Sequence, residues 1–336
     1  MAEAGPVSPN AVAQPTVSGR LQELASAFNL LGLVVASILL YIYFWWRLPG
    51  TFLTFYNIET IARQATIVSM AALGMTLIII AGAIDLSIGS AVALVTVVIA
   101  TALERYGAFV SLLFGVAAGG VSGLFNGLVV AKLNVGPFIV TLGTLLMFRG
   151  VARGIGHDNT VTAPKTWLND LLTVLGEKER WMIFPTGVWF TLLMAVGVSL
   201  LLRKSVFGRH IVAIGSNETA AKMSGVHVDR VKLGVFVLGG IFTGLAGVMQ
   251  FSRLTVGDPT VAVGLELDVI AAVVIGGASL NGGQGSILGS IIGAVFMTTL
   301  ANGFAQMGMP EWIRQIVTGG IIVLAVALDR LRVRAK

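Results

Sequence analysis

The chemistry that this chain could perform within its apolar stretches depends first on Asp85. This residue lies in the mostly apolar segment Leu73–Ser90, which also contains Gly82 and Gly89. A carboxylate deep in hydrocarbon is costly and usually marks a functional position, such as a contact along a transport path. The same side chain could instead accept hydrogen bonds from free amide groups at a helix start, near Ser87. The sequence leaves both interpretations open, and they are compatible if this turn also lines a path.

Two further patterns that could carry chemistry do not indicate an enzyme. The glycine-rich stretch Asn281–Gly285 follows the short apolar segment Leu267–Leu280, and such loops can bind phosphate in front of a helix. An ATP-binding loop also needs Gly-Lys followed by Ser or Thr, and the chain contains no Gly-Lys dipeptide. The stretch therefore predicts a tight re-entrant turn. His157, His210 and His227 lack the spacing of zinc ligands, so we expect no metal site.

The elements that must position these residues are membrane-spanning helices. Of the 336 residues, 56% are hydrophobic and 11% are charged, whereas soluble domains carry about 25% charged residues. Apolar segments of about 20 residues, the length that crosses a bilayer, recur along the chain. Because Phe138–Val151 and Leu267–Leu280 are short, some segments are expected to be broken or re-entrant. The sequence predicts an all-α, polytopic membrane protein with about 10 transmembrane segments, within a range of about 8–10.

Basic residues predict the orientation of the chain. The net charge is +6, and Lys and Arg collect in cytoplasmic loops, so the charge needs no nucleic-acid partner. Loop 203–232 and the basic tail 331–336 are both expected in the cytoplasm, together with the N-terminus. Residues 1–19 are predicted to form a disordered cytoplasmic tail, and residues 20–330 the transmembrane domain. Arg47 and Arg63 then fall outside, against the rule.

Loop 203–232 contains a predicted short helix. Asn217 is a favourable N-cap, Glu218 lies where the helix dipole favours a carboxylate, and Gly225 is a favourable stop. A helix of about two turns is not stable alone in water, so it must pack on something. Its small residues form a flat face: Ala220, Ala221 and Ser224. That face could dock a partner or rest on the inner surface of its own protein.

Five stretches of the sequence, taken together, resemble one known family. They are Gly74–Ser90, Pro137–Gly150, Gly208–Gly225, Ala262–Leu280 and Asn281–Gly289. In this order they are similar to the permease subunits of sugar ABC importers of the ribose, xylose and arabinose type. The resemblance covers most of the chain but does not identify the sugar. The long loop before the sixth apolar segment and the Pro-rich N-terminal tail are not typical of the family.

The resemblance implies a multi-pass protein of the bacterial inner membrane that works with several partners. It would pair with a second permease copy, identical or paralogous, around a central path. Separate ATP-binding cassette subunits would bind ATP and Mg, and a periplasmic sugar-binding protein would deliver the solute. The chain itself would hold no cofactor and catalyse no reaction. Transport would proceed by alternating access, driven by the partner ATPase.

The resemblance also implies roles for particular residues. The pattern Asn-Glu-x-Ala-Ala-x-x-x-Gly looks like the coupling helix that receives the movement of the ATPase. The residues assigned to coupling are Gly208, Asn217, Glu218, Ala220, Ala221 and Gly225. The candidate contacts along the translocation path are Asp85, Ser87, Asn126 and Thr141. Since hydroxyl and amide groups also hold membrane helices together, a packing role for these polar residues is the alternative.

Two other functions remain as alternatives. One is a related ABC permease that imports branched-chain amino acids. The other is an ion-coupled secondary carrier, which would place charged residues near the middle of the membrane. Asp85 and Asp268 both lie near segment ends, which argues against ion coupling.

Overall fold

The computed structural model describes residues 17–334, and the side chains of residues 30–327. Residues 1–16 of the predicted tail lie outside the described residues. The described residues form helices joined by loops, two short strands and one 3-10 helix, Glu177–Met182. The helices are α1 (Val17–Arg47), α2 (Phe55–Ile80), α3 (Ile88–Leu103), α4 (Ala108–Leu133), α5 (Pro137–Gly156), α6 (Trp167–Asp170), α7 (Thr186–Lys204), α8 (Val206–Ser216), α9 (Glu218–Met223), α10 (Val228–Leu254), α11 (Leu265–Ile275), α12 (Ile287–Gln306) and α13 (Glu311–Arg334). The strands are β1 (Val161–Thr162) and β2 (Val256–Gly257).

The lengths of these helices confirm an all-α membrane protein with broken segments. Among the described residues, seven helices are long and apolar enough to cross a membrane: α1, α2, α4, α5, α7, α10 and α12. Helix α3 is a shorter apolar helix of 16 residues, and α11 has only 11. At about 1.5 Å per residue, α11 covers about half of a hydrocarbon core that is about 30 Å thick.

Three segments that are distant in sequence meet at one end of the helix bundle. The amide of Gly283 donates to the carbonyl oxygen of Ile80, at the end of α2, over 2.8 Å. A Cβ atom on Gly215, at the end of α8, would overlap the same carbonyl oxygen. A Cβ atom on Gly282 would come within 2.7 Å of the Gly215 carbonyl oxygen. We call this contact of Ile80, Gly215, Gly282 and Gly283 the glycine junction, and this end of the bundle the glycine end.

The opposite end is defined by the only sheet in the described part of the chain. Strands β1 and β2 pair in antiparallel fashion, with Val161 opposite Gly257. The loop between α5 and α7 is attached to the helices here, because the Leu175 amide donates to Glu59 over 2.7 Å. Arg63 of α2 donates to the Leu172 carbonyl oxygen of the same loop, which gives this arginine a polar partner. We call this side of the bundle the hairpin end.

Among the described residues, α3, α11 and α13 are three further helices that pack with the seven long apolar ones. The segment predicted as Phe138–Val151 is longer than expected, since α5 extends from Pro137 to Gly156. Arginine is unfavourable in hydrocarbon, so Arg149 inside this helix needs polar partners. In the structure Arg149 donates to the carbonyl oxygens of Pro259 and Val261, over 2.9 and 2.6 Å, and the helix continues.

Glycines allow the central helices to approach closely. Helices α4 and α10 run antiparallel, and a Cβ atom on Gly123 would overlap the Phe236 carbonyl oxygen of α10. A Cβ atom on Gly119 would lie 2.5 Å from Gly244. Such contacts replace the hydrophobic driving force that is missing between helices in lipid. Helix α2 lies at the centre of the bundle, and 83% of its most apolar stretch is buried in the protein.

The first and last helices extend into the segments predicted as tails. Helix α1 begins at Val17, inside the predicted tail of residues 1–19, and runs without a break to Arg47. Helix α13 extends to Arg334, so most of the basic tail 331–336 continues that helix.

Candidate functional site

The four candidate path residues lie together in one hydrogen-bonded cluster. The carboxylate of Asp85 accepts from the Ser87 amide over 2.8 Å and from the Ser87 hydroxyl over 2.6 Å. The amide group of Asn126 on α4 donates to Ser87 Oγ over 2.9 Å and to Asp85 over 3.4 Å. Thr141 on α5 donates to the Ile84 carbonyl oxygen over 3.2 Å. This polar cluster holds the non-helical segment before α3 against α4 and α5.

The polar cluster is enclosed by protein. Asp85 is 3% exposed, and Asn126 and Thr141 are fully buried. The bond from the Ser87 amide to Asp85 is the one that a helix-start interpretation predicts. However, the carboxylate lies inside the helix bundle and not at its surface. In this conformation the four side chains stabilise the broken segment, and a role along the path stays a prediction.

A polar cavity lies elsewhere, toward the hairpin end. It is open on one side, has a volume of about 300 Å³ and is lined by α2, α10, α11, α12, α13 and the segment before α11. Its polar side chains are Gln64, Gln250, Arg253, Asp268, Thr298, Asn302 and Arg314. Aliphatic side chains complete it, among them Ile67, Leu265 and Met297. A second cavity of similar volume, between α1, α2, α7 and α12, is almost entirely apolar.

This cavity could not be predicted from the sequence, because its polar residues come from five different helices. Gln64 and Gln250 are separated by most of the chain and share no motif. A weak signal was present, since both are amide side chains inside apolar helices, where polar groups are costly unless they have partners. Only the packing of α2 against α10 brings them to one space.

The predicted loop helix exists as α9, at the glycine end. The side chain of Asn217 accepts from the Ala220 amide over 2.9 Å, as expected of an N-cap. Gly225 has a φ of +85°, and the next amide returns to the Ala221 carbonyl oxygen over 3.1 Å. That left-handed conformation favours glycine at a helix end. Both ends of α9 therefore use the residues that the sequence indicated.

The exposed face of α9 differs from the predicted one. Ala221 is buried in the protein's own core, whereas Ala220 and Ser224 are exposed. Met223 is 80% exposed, so the exposed face of α9 includes an apolar side chain. Gly208 lies apart, in the first turn of α8, where a Cβ atom would overlap the carbonyl oxygen of Leu202 at the end of α7. Gly208 therefore positions α8 and is not part of the exposed face.

Glu218 is held by an ion pair. Its Oε2 lies 2.7 Å from the Nζ of Lys232 on α10. Glu218 is half exposed, and its partner is mostly buried. The pair connects the start of α9 to α10, so a substitution of Glu218 would disturb the position of α9 as well as its surface.

Comparisons with known proteins agree with this architecture. Residues 57–326 match the model of a family described as branched-chain amino acid transport system / permease component. Ribose import permease protein RbsC of Escherichia coli (strain K12) is 37% identical over 283 residues, covering 84% of this chain and 88% of that protein. L-arabinose ABC transporter permease protein AraH of Azospirillum brasilense is 35% identical over 305 residues, covering 90% and 88%.

A third relative and the solved structures complete these comparisons. Xylose transport system permease protein XylH of Escherichia coli (strain K12) is 32% identical over 355 residues, covering 88% of this chain and 90% of that protein. No solved structure matches the chain. The expected resemblance to sugar ABC permeases is confirmed by these relatives. The chain belongs to the family of transport-system permease components that includes these ribose, arabinose and xylose permeases.

Proposed function

We propose that this chain is the membrane-spanning permease subunit of a bacterial ABC importer for a monosaccharide or a related polyol. The observation that carries the proposal is the match to relatives named for ribose, arabinose and xylose transport, each over most of both chains. The family description mentions branched-chain amino acids, but these relatives favour a sugar over an amino acid. They also favour ATP-driven import over an ion-coupled carrier.

We place the glycine end in the cytoplasm. Loops and helix ends on this side carry the basic residues Lys132, Arg203, Lys204, Arg209 and Arg230. Positive charge in short loops favours the cytoplasmic side. The hairpin end would then face the periplasm, where a sugar-binding protein delivers the solute. Both chain ends would lie in the cytoplasm if α1 and α13 each cross the membrane once, because α1 is followed by the start of α2 and α13 is preceded by the end of α12, both on the hairpin side.

The exposed face of α9 is the proposed docking site for the ATP-binding subunit. It is on the cytoplasmic side in this orientation, and it is connected to α10 by the Glu218–Lys232 pair. Helix α8 connects it to the glycine junction. ATP and Mg would be bound by that partner, and a second permease copy would complete the path. Movement of the partner would thereby reach both α2 and the stretch after α11.

Uptake by a strain of the source bacterium that lacks this gene tests the proposed function. Complementation with the wild-type gene should restore uptake of at least one of D-ribose, D-xylose and L-arabinose. Because ATP is the proposed energy source, an uncoupler should leave uptake intact while cellular ATP is maintained. Uptake that stops with the proton gradient would support an ion-coupled carrier. Restored uptake of L-leucine alone would support the amino-acid alternative.

Met223→Glu tests the docking of α9. A charged side chain at the centre of an apolar contact should reduce transport about tenfold or more, since one interface residue can contribute more than about 1.4 kcal/mol. Met223→Leu keeps an apolar side chain and should transport normally. Because Met223 is exposed, both variants should reach the membrane in normal amounts, as measured by immunoblotting. Normal transport by Met223→Glu would show that α9 is an ordinary surface helix.

A further inference from the structure

We infer that the polar cavity toward the hairpin end is the place where the permease binds a neutral polyhydroxy solute on its way across the membrane, with Gln250, Gln64 and Asp268 as its hydrogen-bonding contacts. This inference rests on the proposed function and names the solute site within it. It replaces the polar cluster around Asp85 as the first place to look for solute contacts.

Several polar side chains that line the cavity have no hydrogen-bond partner within the described part of the chain. Gln250 is only 5% exposed, yet among the described residues its side chain has no hydrogen-bond partner in the protein. Gln64 and Asp268, which are partly exposed, and Arg253, which is exposed, also make no side-chain hydrogen bond or close ion pair to another described residue. Of these side chains, only that of Gln250 is buried. Polar groups buried away from bulk water carry a free-energy penalty unless something else bonds to them. Hydroxyl groups of a solute can meet that requirement, and so can ordered water between transport events.

The cavity offers both hydrogen-bond donors and acceptors, and its positive and negative charges are equal in number when the ion-pair partner of Arg314 is included. Amide groups and the Thr298 and Asn302 side chains offer both donors and acceptors, and a sugar hydroxyl can act as either. The formal charges cancel, because Arg314 pairs with Glu311 over 2.9 Å, and the remaining lining charges, on Arg253 and Asp268, are opposite although the two side chains form no ion pair. A cavity without excess charge favours a neutral solute over an ion. Its volume of about 300 Å³ is at the lower end for small-molecule sites, which suits a monosaccharide.

The cavity is in contact with the broken segment before α3 through the chain segment that precedes α11. The segment that lines the cavity runs along α3, where the Asp258 amide donates to Thr96 over 3.1 Å. It then reaches the start of α3, because a Cβ atom on Gly89 would overlap the Ala262 carbonyl oxygen and Glu266. Gly89 follows Asp85 and Ser87 of the polar cluster. The wall of the cavity therefore packs directly on the segment that the cluster holds in place, and the two can move together.

A zwitterionic amino acid is the competing solute. Asp268 and Arg253 could bind its ammonium and carboxylate groups, and Ile67 and Met297 its side chain. In that case the two glutamines would be of little use, since an aliphatic side chain forms no hydrogen bonds. The glutamines therefore distinguish the two classes of solute.

Gln250→Leu is the decisive variant, because leucine keeps a similar volume and removes the amide. Net contributions of about 0.5–1.5 kcal/mol per hydrogen bond predict that sugar uptake falls about tenfold when both amide bonds are lost. Gln315→Leu is the matched control, since Gln315 is exposed on α13 and does not line the cavity. Uptake of D-ribose, D-xylose, L-arabinose and L-leucine is measured for wild type and both variants, together with membrane abundance.

Each outcome bears on one proposal. If wild type takes up none of the three sugars, the proposed function fails, whatever the variants do. If wild type takes up a sugar and Gln250→Leu takes it up equally well, this inference is overturned and the proposed function stands. A selective loss of sugar uptake with normal abundance supports the inference.

A cysteine measurement covers the case in which Gln250→Leu fails to fold. The chain contains no cysteine, so Ala301→Cys, at the cavity wall, would be its only thiol. In membranes containing the complete importer, the sugar that wild type transports should slow modification of this thiol by a membrane-impermeant reagent several-fold. Ala294→Cys, fully buried earlier in the same helix, should remain unmodified. Modification of Ala301→Cys at the same rate with and without that sugar would overturn the inference.

Discussion

Gly215→Ala is expected to abolish most transport, although it adds only one methyl group. The new Cβ atom would overlap the Ile80 carbonyl oxygen and would lie 2.5 Å from the Gly283 nitrogen. Both neighbours are backbone atoms, so no side chain can rotate away. Overpacking of this kind costs about 1–3 kcal/mol, less than a typical stability of about 5–15 kcal/mol. The protein should therefore fold with its glycine junction forced apart.

The expected consequence is a loss of coupling. The glycine junction connects α8, and through it α9, to α2 and to the stretch after α11. We expect solute-dependent ATP hydrolysis by the purified importer to fall about tenfold or more. An overpacking cost of about 1–3 kcal/mol is enough to shift an equilibrium by about that factor. Basal ATP hydrolysis should be retained.

Gly197→Ala is the control for this substitution. It lies on α7, and a Cβ atom there would meet no other atom within 4 Å. This variant should transport normally. Wild-type transport by Gly215→Ala would show that the junction can open without cost and transmits nothing.

Asp85→Ala is expected to have the largest effect on stability. Removing the carboxylate leaves the Ser87 amide and the Ser87 hydroxyl without their acceptor, while the Asn126 amide group keeps only its bond to Ser87 Oγ. Each buried donor that is left unsatisfied costs about 1–3 kcal/mol. We expect low abundance in the membrane and a lower thermal unfolding temperature in detergent. Asp229→Ala, at an exposed position in the first turn of α10, should have little effect.

The same variant separates the two interpretations of Asp85. Asp85→Asn retains one oxygen that can accept from Ser87, so it should be intermediate in stability. If Asp85→Ala is as stable and abundant as wild type but does not transport, the carboxylate acts along the path. A loss of stability that Asp85→Asn partly restores would indicate that its main task is to hold the broken segment.

Much of this architecture could be predicted from local sequence. The membrane class follows from composition, since 56% hydrophobic residues cannot be buried in a soluble domain. The ends of α9 follow from Asn217 and Gly225, because a cap involves residues only a few positions apart. The family follows from ordered motifs, and the comparisons confirm it. The partners of Arg149 could not be predicted, because Pro259 and Val261 lie more than 100 positions away.

The sequence by itself determined the class of protein, the helices and their caps, because hydrophobic length and capping are local properties of the chain. Tertiary structure alone decided which side of α9 is exposed, turning Ala221 inward and Met223 outward. It also decided that Gly215 touches Ile80 and Gly283, and that Gln64 and Gln250 face one cavity. These contacts join segments with no fixed separation in sequence. They depend on how closely glycine-lined helices pack, and that distance is set by the whole bundle.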